Sequence, residues 1–161
     1  MIKPKGATMV KVSKILVAVD FSPGSRAAVE YGAMFARALQ STVTLFHVYQ
    51  TPDSMSAIVP GADGAADDAK DRGLAQTWLE KLRTEAKEYI DVEVAVLVEH
   101  GSPAEEIVAL SHRSGFDLVV MGTHGRTGIR HVLMGSVAEA VVRLAPCPVL
   151  TIHLPLRSDA T

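Results

Sequence analysis

Met121-Gly-Thr-His-Gly-Arg-Thr-Gly-Ile-Arg-His-Val-Leu-Met-Gly-Ser136 is the stretch on which the fold is read. The apolar run Leu118-Val119-Val120-Met121 leads into it, and a helical pattern leaves from Ser136. Between the two stand Gly122, Gly125, Gly128 and Gly135. Glycine tolerates close backbone approaches that a Cβ forbids. A glycine-rich loop joining a buried strand to a helix start is where α/β proteins place phosphates. The first helical N–H groups are unpaired there, and the helix dipole is positive. The spacing Gly122-x2-Gly125-x9-Gly135-Ser136 therefore reads as a nucleotide cradle. Thr127 and Ser136 offer hydroxyls, and Arg126 and Arg130 offer charge. It is not a Walker A loop, since no Gly-Lys-Ser/Thr follows, nor the compact Gly-x-Gly-x-x-Gly of dinucleotide binders. A plainer reading stands beside it: glycines that only turn the chain, with Ser136 and Glu139 as a capping box.

Upstream, Ile15-Leu16-Val17-Ala18-Val19 is continuously apolar, the mark of a strand buried on both faces. It ends at Asp20, and Ser22-Pro23 supplies an N-cap and a proline for the first helical position. The helix predicted over 23–39 turns Ala28, Gly32, Phe35, Ala36 and Leu39 inward. Residues 42–49 have the β-branched and aromatic content of a second strand. Residues 50–67 show no periodicity and read as a long connection, mobile or functional. From 68 to 89 Leu74, Trp78, Leu82, Ala86 and Tyr89 recur on one face, and this predicts a helix with its aromatics in the core.

A third strand follows over 93–99. Ser102-Pro103-Ala104-Glu105 has the pattern of a helix N-terminus with a capping box, and Gly115 stops that helix. The fourth strand covers 117–121. A last helix over 136–145, with Val137, Ala140, Val141 and Leu144 inward, precedes a fifth strand over 147–153. Strands alternating with helices imply an α/β fold: a doubly wound parallel sheet with helices on both faces. Such sheets bind ligands beyond the carboxyl ends of their strands, where the winding reverses. Asp20 stands at one such end, placed to accept from ribose hydroxyls or an adenine amino group, to hold a metal, or simply to shape the turn into the first helix.

Composition narrows the function classes. The 161 residues carry 16 basic and 18 acidic side chains, a net charge of −2, which argues against a nucleic-acid partner. No run approaches the roughly 18 apolar residues of a membrane span, and no leader-like block opens the chain. These features predict one domain over 1–161 in the cytoplasm, with flexible residues 1–12 and a polar tail at 155–161. The single Cys147 lies between Pro146 and Pro148 and reads as a small buried hydrophobe. His47 and His124 lack zinc-ligand spacing and read as structural or loop histidines. There is no Gly-x-Ser-x-Gly elbow and no obvious acid–base pair of carboxylates.

These motifs resemble the universal stress protein family, in its UspA-like, ATP-binding subgroup. The likeness rests on Gly122-x2-Gly125-x9-Gly135-Ser136, on Ile15-Leu16-Val17-Ala18-Val19-Asp20-Phe21-Ser22, on Leu45-Phe46-His47-Val48 and on Pro146-Cys147-Pro148-Val149-Leu150. It implies a five-stranded parallel sheet of order 3-2-1-4-5 with ATP, joined by Mg²⁺, between strands one and four. It further implies that Ala18, Val19 and Asp20 hold the adenosine side and that Val48 meets adenine. Met121 and Gly122 line the ribose and phosphate entry. Gly125, Gly135, Ser136 and Val137 take the phosphates, with His124 and Arg126 as secondary contacts. A homodimer through the last strand, from Val149 to His153, is implied as well. The function expected is a nucleotide-dependent stress-response or signalling module with slow or absent hydrolysis. The competing expectations are an ATP-hydrolysing enzyme and a nucleotide-free dimeric scaffold. A valine at Gly122 or Gly135 is expected to abolish nucleotide binding and leave the fold intact.

Overall fold

The computed structural model describes residues 11–50, 64–89, 91–123 and 134–154. The elements in chain order are β1 (Lys14–Ala18), α1 (Pro23–Leu39), β2 (Thr42–Tyr49), α2 (Gly64–Tyr89), β3 (Val94–His100), α3 (Pro103–Ser114), β4 (Leu118–Gly122), α4 (Ser136–Leu144) and β5 (Val149–Ile152). The strands form one sheet of order β3-β2-β1-β4-β5. Every pairing is parallel, with Val17 opposite Leu45 on one side and Val120 on the other. The implied order and the doubly wound α/β class are what the chain adopts.

Each strand feeds two cores by alternation. Ile15, Val17 and Val19 point to the layer of α1 and α2, with Ala28, Ala36, Leu79 and Leu82. Leu16 and Ala18 point to the layer of α3 and α4, with Phe46, Ile107, Leu110 and Val141. The entry into β1 is clamped by Asp117, whose carboxylate accepts the N–H groups of Ser13 at 2.8 Å and Lys14 at 3.0 Å. Ser22 caps α1 as expected, its Oγ accepting from the Ser25 N–H at 3.2 Å. Gly115 ends α3 at φ 62°, a left-handed turn that favours glycine.

Several expectations are corrected. Helix α2 begins at Gly64, within the stretch read as connection; residues 51–63 lie outside the described residues, as do 1–10 and 155–161. Its inward face is Ala75, Leu79, Leu82 and Ala86, and Leu74 and Trp78 are 53% and 50% exposed. The reason is helical geometry: each step of four residues overshoots a turn by about 40°, so counting back by fours from Leu82 walks off the buried stripe. Trp78 lies outside, its ring 6.4 Å from Phe21 and under the Lys81 ammonium at 5.8 Å.

In α1 Phe35 is only half-buried and Leu39 is exposed; Ala27, Val29 and Ala33 complete the inner face. α4 stops at Leu144, which is exposed, and buries Ala138 and Val141. β5 is shorter than read, and β4 ends on Gly122, so that glycine belongs to the sheet. Ser102 precedes α3, but its side chain makes no capping bond; its backbone carbonyl takes the Glu106 N–H at 2.9 Å. Cys147 is half-buried against the α3–α4 layer. Burial, then the Asp117 charge, pushes its thiol pKa up.

Candidate functional site

The winding of the sheet reverses between β1 and β4, and the carboxyl ends of these strands leave a crevice there. A cavity of about 210 Å³ occupies it. β1 and its turn supply Ala18, Val19 and Asp20; β2 supplies Phe46 and Val48; β4 supplies Met121, Gly122 and the following Thr123. The first two turns of α3 add Pro103 and Ile107, and the start of α4 adds Gly135, Ser136, Val137 and Ala138.

Ala18, Val19, Asp20, Val48, Met121, Gly122, Gly135, Ser136 and Val137, all expected at a site, therefore share one wall-to-wall space. His124, Gly125 and Arg126 lie outside the described residues. Phe46, Pro103, Ile107, Thr123 and Ala138 were not anticipated. Phe46 had a signal, since it stands two residues before Val48 and a strand repeats its faces with period two. Pro103 and Ile107 had none, because only the sheet order sets the α3 N-terminus over β1 and β4.

The turn after β1 is tightly built. The Val19 N–H donates to the Phe46 carbonyl at 2.8 Å. The Val19 carbonyl lies 2.6 Å from His47 Nδ1. A carbonyl only accepts, so Nδ1 must carry the proton, and His47 is the structural histidine that was expected. Val19 thus meets the cavity with its donor spent and one carbonyl lone pair remaining. Asp20 Oδ1 accepts the Ser22 N–H at 3.0 Å, so the carboxylate shapes the turn and lines the cavity at once. Between them Phe21 sits at φ 64°, a conformation costly for a bulky side chain. Its ring packs on His47 with centroids 4.6 Å apart.

The other end of the cavity is the N-terminus of α4. The capping-box reading fails here: Gly135 is the N-cap, Ser136 is the first helical residue, and no side-chain cap bond forms. The helix starts on Gly135, whose carbonyl accepts the Glu139 N–H at 2.9 Å. The first-turn N–H groups are left without a side-chain acceptor among the described residues, and the residues that bear them line the cavity. The site thus has an apolar side (Phe46, Val48, Ile107), one carboxylate (Asp20) and one anion-attracting helix end. Among the described residues no three His, Cys, Asp or Glu side chains cluster as a metal site, and no helix is long and apolar enough to cross a membrane.

A family model described as the universal stress protein family matches residues 11–153. The chain is similar to Universal stress protein MJ0531 of Methanocaldococcus jannaschii, 32% identical over 143 residues, which are 88% of this chain and 82% of that protein. It is also similar to Universal stress protein MJ0577 of the same organism. The solved structure of that protein superposes at TM-score 0.81 with 28% identity, covering 91% of this chain and 99% of that one. A universal stress protein solved in complex with cAMP shares the fold at TM-score 0.70 with 24% identity, covering 90% of this chain and 99% of its own.

Proposed function

Since the chain belongs to the universal stress protein family, we propose that it binds ATP with Mg²⁺ in the crevice between β1 and β4. In this reading it acts in the cytoplasm as a nucleotide-dependent stress-response module whose hydrolysis is slow or absent. One observation carries the proposal: residues from three strand ends and a helix start whose N-cap, Gly135, makes no side-chain bond converge on a single cavity with an apolar side and an anion-attracting end. The cAMP complex adds support of a coarser kind, since a protein of this fold accommodates an adenine nucleotide.

Adenine lies against Val48, with Phe46 and Ile107 extending that apolar side. The backbone at Ala18 and Val19 flanks the adenosine, and Asp20 accepts from a ribose hydroxyl through the oxygen not used by Ser22. Met121 and Gly122 flank the ribose and the phosphate entry. The phosphates meet Gly125, Gly135, Ser136 and Val137, with His124 and Arg126 beside them. Each charge-assisted bond from these N–H groups contributes about 1.5–3 kcal/mol, and the helix end adds about 0.3–2 kcal/mol. With its second oxygen given to the ribose, Asp20 would not be a direct ligand of Mg²⁺, which would be held by the phosphate oxygens and its own waters. A bound Mg²⁺ supplies charge neutralisation of the triphosphate. Among the described residues β5 is an edge strand of the sheet, and a homodimer forms through Val149 to His153.

The test is thermal unfolding with and without Mg-ATP, joined to mass spectrometry of any small molecule that co-purifies. At 100 times its dissociation constant the ligand stabilises by about 2.7 kcal/mol, a rise of about 5–11 °C for a chain of this size. No shift, and no adenine nucleotide in the extract, would overturn the proposal.

A further inference from the structure

Thr123, the residue directly after β4, makes connections that the assigned site residues do not. It is 8% exposed and lines the cavity. Its N–H donates to the carbonyl of Ile152, the last residue of β5, at 3.0 Å. Its carbonyl accepts the N–H of Gly135, the N-cap of α4, at 2.7 Å. Its Oγ1 lies 3.2 Å from Nδ1 of His153, an exposed residue just past β5. One buried residue thus joins the cavity wall, the helix end that attracts anions, and the end of the edge strand.

We infer that Thr123 is a positioning residue that couples occupancy of the cavity to His153 at the end of the β5 edge. The inference rests on the nucleotide reading above. The physical chain is short. An anion bonding the first N–H groups of α4 draws on the helix start, and Gly135 is hung from the Thr123 carbonyl by a short hydrogen bond. Thr123 is β-branched, with few χ1 positions open to it. A shift of its backbone is therefore carried to Oγ1 rather than absorbed by the side chain, and the bond to His153 lengthens or realigns. Contiguous hydrogen bonds of this kind carry coupling between sites. Coupling is reciprocal, so a change at His153 alters nucleotide affinity in turn.

The experiment is an NMR titration of the full chain with Mg-ATP. It follows the His153 ring Cε1–H signal and, as the binding control, the Val137 amide. In the natural protein both signals move and saturate together. Thr123→Val keeps shape and removes the hydroxyl; it weakens ATP by about three- to tenfold, the range of one neutral hydrogen bond. At saturation in that variant the Val137 amide moves and the His153 ring does not. Thr123→Ser keeps the hydroxyl but loses the β-branch, and it restores the His153 movement in part, which a merely structural role would not require. If Thr123→Val fails to fold, His153→Gln replaces it: ATP affinity falls by about the same three- to tenfold while the Val137 amide still moves at saturation, and an unchanged affinity overturns the coupling. A moving Val137 amide with a still His153 ring in the natural protein overturns the coupling and leaves the nucleotide reading standing. A His153 response that survives in Thr123→Val overturns it as well. No movement of either signal overturns both.

Discussion

An alanine at position 122 would carry its Cβ 3.0 Å from the carbonyl carbon of Gly24 and 3.3 Å from the Gly24 Cα and oxygen. These are backbone atoms in the first turn of α1, so no side chain can swing away to make room. That turn is held by Ser22, which accepts from the Ser25 N–H at 3.2 Å and, through its carbonyl, from the Arg26 N–H at 3.1 Å. The whole start of α1 must retreat by a few tenths of an ångström. Overpacking of this kind costs about 1–3 kcal/mol, and the small displacement places Gly122→Ala in the lower part, at about 1–2 kcal/mol. For a chain of this length the melting temperature falls by about 2–8 °C. The retreat also moves the turn of Asp20 and Ser22, so Mg-ATP affinity falls with stability.

The assay is urea unfolding at constant m-value, paired with Gly73→Ala as control. Gly73 lies on α2 with nothing within 4 Å of a Cβ. Alanine there gains about 0.5–1 kcal/mol from helix propensity, so the two variants shift in opposite directions. A Gly122→Ala protein as stable as the natural one would refute the close approach of β4 to α1. The same geometry corrects the expectation for a valine at Gly122: it would disturb the fold along with binding and is no clean probe of the site.

Leu79→Ala should cost about 2–5 kcal/mol and Leu74→Ala less than about 1 kcal/mol in the same denaturation assay, because Leu79 is fully buried and Leu74 faces outward. Asp117→Ala removes the acceptor of two backbone N–H groups and should cost about 1–3 kcal/mol, read as a lowered urea midpoint. Cys147 holds its proton more tightly when folded than the ordinary thiol value of 9.0, first through burial and then through the Asp117 charge. The folded state therefore binds more protons than the unfolded one above that pH, and this share of stability is present below it and is lost as pH rises through the raised value. Cys147→Ser should flatten that alkaline decline, and the native thiol should react with a disulfide reagent more slowly at pH 8 than when urea-unfolded.

Local signals were legible in the residues themselves. The apolar runs of β1 and β4, the Ser22-Pro23 start of α1 and the Gly115 stop of α3 depend on neighbours a few positions away, so the chain alone announces them. The order of the sheet was legible only through family resemblance, since no short run of residues encodes which strands lie side by side. Nine of the site residues named from that resemblance line one cavity, while Phe46, Pro103, Ile107, Thr123 and Ala138 join them only because the sheet stacks strand ends under α3 and α4.

Tertiary packing also decided which helical face is wet. Leu74 and Trp78 drift about 40° per step of four away from Leu82, and the sheet beneath α2 takes the face of Ala75, Leu79, Leu82 and Ala86. At α4, Ser136 and Gly135 compete for the cap, and the bond from the Gly135 N–H to the Thr123 carbonyl places the glycine there. The amino-acid sequence by itself determined where strands and helices form, because period and capping are local free energies. Which groups meet around the crevice was settled by contacts between residues far apart in the chain, and those exist only once the sheet is assembled.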